Sequence, residues 1–306
     1  TRRVVTVGEP ALSGPALDES TLFEIGSITK VFTGILLAEM AERGEVRLDE
    51  PVAELLPPGT RVPSRGGRQI TLVDLATQSS GLPRLPDNMR PADMTNPYAD
   101  YTAEQLYDFL ASYELTRDIG AEYEYSNLGV GLLGYALALR ADTSYEALVR
   151  ERILAPLGME STGITLDDDE RRRLTPGHNA LGQVVQNWDM PVLAGAGALR
   201  STVDDMLTFL AANLDPPESP LGRAIREAHE PRFTTDNPKL RLGLNWHILD
   251  TNGRTLIWHN GGTGGYRSML VFDPERHTGV IVLSNSNRSV DEIGLHLLEP
   301  AIESEK

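Results

Sequence analysis

Thr21-Leu22-Phe23-Glu24-Ile25-Gly26-Ser27-Ile28-Thr29-Lys30 leads into a run from Val31 to Arg43 whose apolar residues recur at helical spacing. Val31, Phe32, Ile35, Leu36, Leu37 and Met40 cover a wide face, so a helix from Ser27 to Arg43 should be well buried, with Gly44 closing it. Ser27 and Lys30 stand three apart where loop becomes helix, which places the amine over the hydroxyl. A serine hydroxyl is a weak nucleophile until a base takes its proton. Burial disfavours the ammonium and so prepares a lysine for that task. Bringing a lysine from about 10.4 to near 7 costs roughly 4–5 kcal/mol, which the site must supply. The helix N-terminus adds a field that favours a developing alkoxide. A serine cap with an unrelated lysine one turn on is the bland alternative. Lysine is otherwise scarce, with only Lys239 and Lys306 besides Lys30.

Two further stretches bear on the same chemistry. Tyr125-Ser126-Asn127 stands at the entry to a predicted helix from Leu128 to Arg140. A tyrosine beside a lysine can relay a proton, and an asparagine amide donates and accepts at once. His259-Asn260-Gly261-Gly262 ends a predicted strand and runs into Thr263-Gly264-Gly265. Glycines there let a substrate approach the backbone, and the amides of Ser27 and Gly262 are candidates for an oxyanion hole. Taken singly, the second stretch reads as an ordinary helix entry and the third as a glycine-rich hairpin.

In this order and separation, the three stretches resemble the signature of the serine β-lactamases and penicillin-binding proteins. The chain is similar to the class C β-lactamase-like family, which also holds D,D-peptidases, D-aminopeptidases and family VIII esterases. The likeness runs from Thr21 to Leu298 and includes Ser79-Ser80-Gly81-Leu82, Pro156-Leu157-Gly158-Met159 and Ala196-Gly197-Ala198-Leu199-Arg200-Ser201-Thr202. It implies Ser27 as nucleophile, Lys30 as its activating partner, and Tyr125 as general base and then acid. It further implies Asn127 orienting the acyl group and His259, Asn260, Gly261 and Gly262 as the strand beside which substrate lies. Class C β-lactamases carry lysine where this chain has His259; His-x-Gly is common among the peptidases and esterases. Only 26 residues precede Ser27, so the family's first helix and one sheet strand are expected to be absent or supplied differently.

The expected fold is α+β, an antiparallel sheet flanked by helices with a mostly helical insertion. Residues 1–45 and 192–306 would form the sheet domain and 46–191 the helical one, with the site between them. Within the first part, Arg3–Val7 reads as a strand and Gly8–Pro15 as a loop. Helices are expected over Ile70–Gln78, Thr102–Tyr113, Leu128–Arg140, Tyr145–Ile153 and Ser201–Leu214. Thr255–His259, Ser268–Phe272 and Gly279–Leu283 read as an antiparallel meander, with a closing helix over Asp291–Leu298. The acidic run Asp167–Glu170 lacks the glycine and spacing of a calcium loop and reads as a solvated helix end.

A net charge of −16 repels polyphosphate and anionic membrane surfaces, so nucleic acid is excluded as a partner. No apolar run is long enough to span a bilayer. With no cysteine, disulfides, thiolate zinc sites and a Cys nucleophile are excluded together. Six scattered histidines imply no metal, and no cofactor is called for. The chain opens at Thr1, consistent with a removed leader or a trimmed start, and its compartment and oligomeric state stay open. The expected function is hydrolysis of small carboxylesters or amides through an acyl-enzyme, with β-lactam hydrolysis as a lesser activity. D-aminopeptidase or D,D-carboxypeptidase activity is the alternative, and a catalytically silent ligand-binding relative is the alternative of another class. Arg267 is the nearest fixed cation to the third motif, and Trp188 and Trp246 are candidates to line an acyl pocket, with core packing the first expectation for each.

Overall fold

The computed structural model describes residues 1–8 and 17–298. Its elements begin with strand β1 (Phe23–Glu24) and, after a 3-10 turn over Gly26–Ile28, helix α1 (Thr29–Glu42). A small hairpin, β2 (Ser64–Arg65) and β3 (Arg68–Gln69), precedes α2 (Leu72–Ala76), α3 (Ala103–Ser112) and α4 (Asn127–Arg140). Helix α5 (Tyr145–Val149) continues through a π turn over Arg150–Leu154 into α6 (Ala155–Leu157), and α7 (Asp168–Arg173) follows. After β4 (Arg200–Ser201) come α8 (Val203–Leu214) and α9 (Pro220–His229). The remaining strands are β5 (Phe233–Thr234), β6 (Leu240–Leu242), β7 (His247–Thr251), β8 (Arg254–Gly262), β9 (Arg267–Asp273) and β10 (Thr278–Ser284), and α10 (Asp291–Leu298) follows them.

The six strands from β5 to β10 form one antiparallel sheet in sequential order, so every connection is local. Alternation along β9 feeds two cores. Met269 and Val271 point into a small cluster with Val290 under α10, while Leu270 and Phe272 join the main core. That core is built around α1, which is buried from Thr29 to Met40 and packs on α4 and α9. Trp246 is fully buried there, stacked with Phe209 and edge-on to Phe272.

Most predicted elements appear where the periodicity placed them, trimmed by their caps. Thr71, Thr102 and Thr202 are the N-caps, the first two in capping boxes with Asp74 and Gln105. The acidic run forms the first turn of α7, capped by Asp167 and paired with the arginines behind it. One expectation fails. Arg3–Val7 forms no strand, and Val5 and Val7 stand 68% and 83% exposed. A β-branched run becomes a strand only with a ladder partner; the first paired segment is instead β1, held antiparallel to β4. The loop expected over Gly8–Pro15 lies, beyond Gly8, outside the described residues. Residues 1–8 thus supply neither helix nor strand, and β10 is an outer strand of the sheet among the described residues.

Candidate active site

Ser27 sits in the 3-10 turn ahead of α1, so the helix proper begins two residues later than its apolar pattern indicates. This turn lies directly against the end of β8. Gly26 has φ +50°, and a Cβ there would come within 2.6 Å of the Gly262 amide nitrogen. Ser268 on β9 donates from its hydroxyl to the Ile25 carbonyl at 2.8 Å, tying sheet and turn together. A Cβ at Gly261 would likewise stand 3.0 Å from the Ser27 amide nitrogen, so turn and strand meet backbone to backbone at Ser27 and Gly262.

Lys30 is fully buried beneath Ser27. Its Nζ lies 3.1 Å from Ser27 Oγ, 2.8 Å from Asn127 Oδ1 and 2.6 Å from the Ala196 carbonyl oxygen. No carboxylate is among these partners. Burial, and secondarily the Arg84 charge, hold the Lys30 ammonium well below its ordinary range.

Tyr125 and Asn127 are carried by a segment clamped from outside. Gln78 accepts from the Ser126 amide at 2.6 Å through Oε1 and from the Glu124 amide at 2.8 Å through its carbonyl. Ser126 donates to the Pro83 carbonyl and caps α4, while the Arg84 carbonyl accepts from the Asn127 amide. Gln78 has φ +59° and Gly81 φ +83°, and the motif Ser79-Ser80-Gly81-Leu82 links the clamping residues Gln78, Pro83 and Arg84. The Tyr125 ring lies 4.9 Å from Lys30 Nζ and 5.0 Å from the Arg84 guanidinium. Burial pushes the Tyr125 hydroxyl above its usual range; a hydrogen bond with Ser27 and the Arg84 charge oppose this without reversing it. Asn127 in turn donates to the Tyr98 hydroxyl at 3.0 Å.

Ser27, Tyr125, Asn127, Asn260, Gly261 and Gly262 line one cavity of about 710 Å³. His259 does not. Neighbouring side chains on β8 point to opposite faces, and the His259 ring is fully buried behind the strand. There its Nδ1 meets the Asn260 carbonyl at 2.6 Å and its ring centre lies 5.1 Å from that of His247. The ring is thus set back from the cavity, its centre 6.2 Å from that of Tyr125. Burial, with His247 and Lys30 nearby, pulls His259 well below the usual histidine range.

Arg84, Tyr98, Tyr123, His247, Trp188 and Asp291 also line the cavity and carry no motif of their own. Trp188 packs half-buried against the main core and also faces the cavity. It is held at the wall by its amide on Glu24 and its indole on the Thr95 carbonyl. For His247 the only prior signal was its alternation with Ile248, which marks a half-buried strand. Among the described residues no cluster of histidine and carboxylate side chains fits a metal ion.

His247 yields a stability prediction. Burial holds it at about 4 against an ordinary 6.5, so the unfolded chain takes up the proton first. Its contribution is complete above pH 6.5 and is lost progressively as pH falls from 6.5 to 4, by roughly 3 kcal/mol at about 1.36 kcal/mol per pKa unit. Melting curves of His247→Gln should therefore show a smaller drop in Tm between pH 7 and pH 5 than wild type. Equal drops would exclude the assignment.

An antiparallel sheet covered by helices, with a buried helix opening at the cleft, is the β-lactamase/transpeptidase fold. The sequence model described as Beta-lactamase matches residues 4–299, and the chain belongs to that family of hydrolases. It is 31% identical over 289 residues to the D-alanyl-D-alanine-carboxypeptidase/endopeptidase AmpH of Escherichia coli K12, covering 88% of this chain and 71% of that protein. It is 27% identical over 305 residues to a β-lactamase of the same strain, covering 88% and 76%. The crystal structure of a β-lactamase/D-alanine carboxypeptidase from Yersinia pestis complexed with citrate superposes with a TM-score of 0.77 at 27% identity, covering 91% and 81%.

Proposed function

We propose that this chain hydrolyses small carboxylic esters and amides, β-lactams among them, through an acyl-enzyme on Ser27. The observation that carries this reading is the full burial of Lys30 with its Nζ 3.1 Å from Ser27 Oγ and no carboxylate beside it. A neutral amine has two N–H donors and one lone pair. Asn127 Oδ1 and the Ala196 carbonyl are acceptors only. In the neutral state that burial favours, these two acceptors take both N–H donors and the lone pair faces the Ser27 hydroxyl 3.1 Å away, ready to receive its proton.

In this scheme Lys30 removes the proton as Ser27 Oγ attacks the substrate carbonyl. The oxyanion is received by the amides of Ser27 and Gly262. Tyr125 is held in its protonated form and touches Ser27, so it donates to the leaving group as the tetrahedral adduct collapses. Lys30, now an ammonium, returns a proton to Tyr125. Water then attacks the acyl carbonyl, giving a proton to neutral Lys30, and Lys30 returns it to Ser27 Oγ as the adduct collapses to the free acid. The first proton thus goes to Lys30 rather than to Tyr125, because burial shifts the two groups in opposite directions. Asn127 orients the acyl group, and Asn260, Gly261 and Gly262 form the strand beside it. His259 supports Tyr125 from behind.

A second reading, cleavage of D-alanyl peptides, is favoured by the name and coverage of the AmpH relative. The test is turnover of p-nitrophenyl butyrate, a chromogenic cephalosporin and a D-alanyl-D-alanine peptide side by side, with a serine-reactive phosphonate located by mass spectrometry. An adduct on the Ser27 peptide together with turnover supports the enzyme. No adduct and no turnover would leave a silent binding relative.

A pH profile gives a further check. Since the working lysine is neutral, kcat/KM on the ester should rise with pH, and the rise should lie well below the ordinary lysine value of 10.5. A limb at or above pH 10 would remove Lys30 from the base role.

A further inference from the structure

Trp188 lines the cavity, and several parts of the chain fix it there. Its amide donates to Glu24 Oε1 at 2.9 Å and its carbonyl accepts from Arg200 Nη2 at 3.1 Å. The buried ion pair between β1 and β4 thus grips its backbone from both sides. The indole Nε1 donates to the Thr95 carbonyl at 3.1 Å. The same nitrogen lies against the end of the glycine-rich motif, where a Cβ at Gly264 would stand 3.0 Å away. The Trp188 ring also meets the Tyr98 ring, their centres 5.4 Å apart and their planes tilted by 54°. Tyr98 in turn accepts from Asn127 at 3.0 Å. A chain of contacts therefore runs from Asn127 through Tyr98 and Trp188 to Gly264. It bridges the two sides of the cleft between which the acyl group is proposed to lie.

Tyr98 and Trp188 belong to segments far apart in the chain, and a reciprocal pair of bonds joins those segments. Asn96 Nδ2 donates to Asp189 Oδ2 at 2.9 Å, and the Asp189 amide donates to Asn96 Oδ1 at 2.8 Å. One side-chain amide therefore serves as donor and acceptor to one partner residue. The loop that presents it is built in advance. Asp93 Oδ1 accepts from the Thr95 amide at 2.8 Å and from the Thr95 hydroxyl at 2.7 Å, and Asp100 accepts from the Ala92 amide at 2.8 Å. Asn96 and Asp189 themselves lie outside the cavity lining, Asn96 half-buried and Asp189 exposed. Bonds that compete with water are weak in net terms, so this clasp can be cut without dismantling the buried Glu24–Arg200 pair.

We infer that Asn96 and Asp189 are positioning residues that clasp the Tyr98 loop to the Trp188 segment, and that the wall they hold shut limits the length of the acyl group. This deepens the hydrolase reading and rests on it. A short acyl chain fits between Asn127 and the strand Gly261–Gly262. A longer one meets the Tyr98 and Trp188 rings and enters only when the two segments part.

The experiment compares kcat/KM for p-nitrophenyl butyrate and p-nitrophenyl octanoate, each below its micelle concentration. Wild type should favour butyrate about tenfold or more. Trp188→Ala removes the wall and should raise the octanoate-to-butyrate ratio about tenfold. Asn96→Ala deletes both clasp bonds, and Asn96→Asp replaces the donor with a second carboxylate facing Asp189; both should move the ratio in the same direction. A fold defect lowers both esters alike and leaves the ratio unmoved, so the ratio separates selection from damage. A wild-type ratio of one or above overturns the inference. So does a ratio that moves in Trp188→Ala while both Asn96 variants keep the wild-type value, because the clasp would then hold nothing shut. Labelling of Ser27 by butyl and octyl phosphonates carries the same comparison to the acylation step alone, and the relative rates should follow the same order. No labelling of wild type by either phosphonate would instead count against the hydrolase reading, so the two failures are distinguishable.

Discussion

Lys30→Ala is expected to lower the acylation rate about 10⁴-fold, the upper range for a positioned base. Ser27 Oγ loses the lone pair that receives its proton, and no other base touches it. Tyr125 is in reach but is held protonated by burial. Water entering the vacated space can accept the proton only with the weak basicity of water. The same change strips the donor from Asn127 Oδ1 and from the Ala196 carbonyl, so Asn127 loses one of its two anchors. Acylation should therefore fall further than base removal alone dictates. Burst kinetics on the p-nitrophenyl ester measure the acylation step directly, with Ser27→Ala as the variant from which no acyl-enzyme forms. Activity within tenfold of wild type in Lys30→Ala would transfer the base role to Tyr125.

How far this site could be read from sequence follows the range of each contact. Ser27 and Lys30 are one helical turn apart, so their meeting is a local consequence of α1. Asn127 stands 97 positions from Lys30, and only the resemblance to a known signature joined them. Arg84 and Tyr98 carry no pattern at all. They matter because the Arg84 carbonyl accepts from the Asn127 amide and the Tyr98 hydroxyl from the Asn127 side chain, and both are tertiary contacts. His259 needs no long-range contact to be placed, since period-two alternation along β8 sends its ring away from the face of Asn260. In the fold, β8, β9 and β10 were legible because β-branched and apolar residues dominate them. The short β5, β6 and β7 mix charged and polar residues with apolar ones, and only pairing makes them strands. Helix α9 was missed although Ser219 caps it and Pro220 stands at its first position. Arg3–Val7 is the converse case, a strand composition with no ladder to join.

Gly261→Ala should be almost as damaging as loss of the base, although the residue has no side chain and carries no charge. A Cβ at this position would lie 2.1 Å from the Ile25 carbonyl oxygen, 2.3 Å from Ser268 Oγ and 3.0 Å from the Ser27 amide nitrogen. Two of these three are backbone atoms, so no rotamer change relieves the overlap; strand and turn must move apart. The hydrogen bond from Ser268 to Ile25 is the first casualty, because the new methyl group occupies its path. The amides of Ser27 and Gly262 then no longer converge on one oxygen. Loss of a single oxyanion donor typically costs about 10²–10³ in kcat, and separation of the pair should reach about 10³. Gly253→Ala is the matched control. It lies in the turn between β7 and β8 at φ +72° with no atom within 4 Å of its Cβ, so it should cost about 1 kcal/mol of stability and leave kcat unchanged. Measuring kcat, Tm and the rate of phosphonate labelling on both variants separates the two effects. Wild-type kcat in Gly261→Ala would mean that the oxyanion is held elsewhere, and the close contact of β8 with the Ser27 turn would then serve only packing.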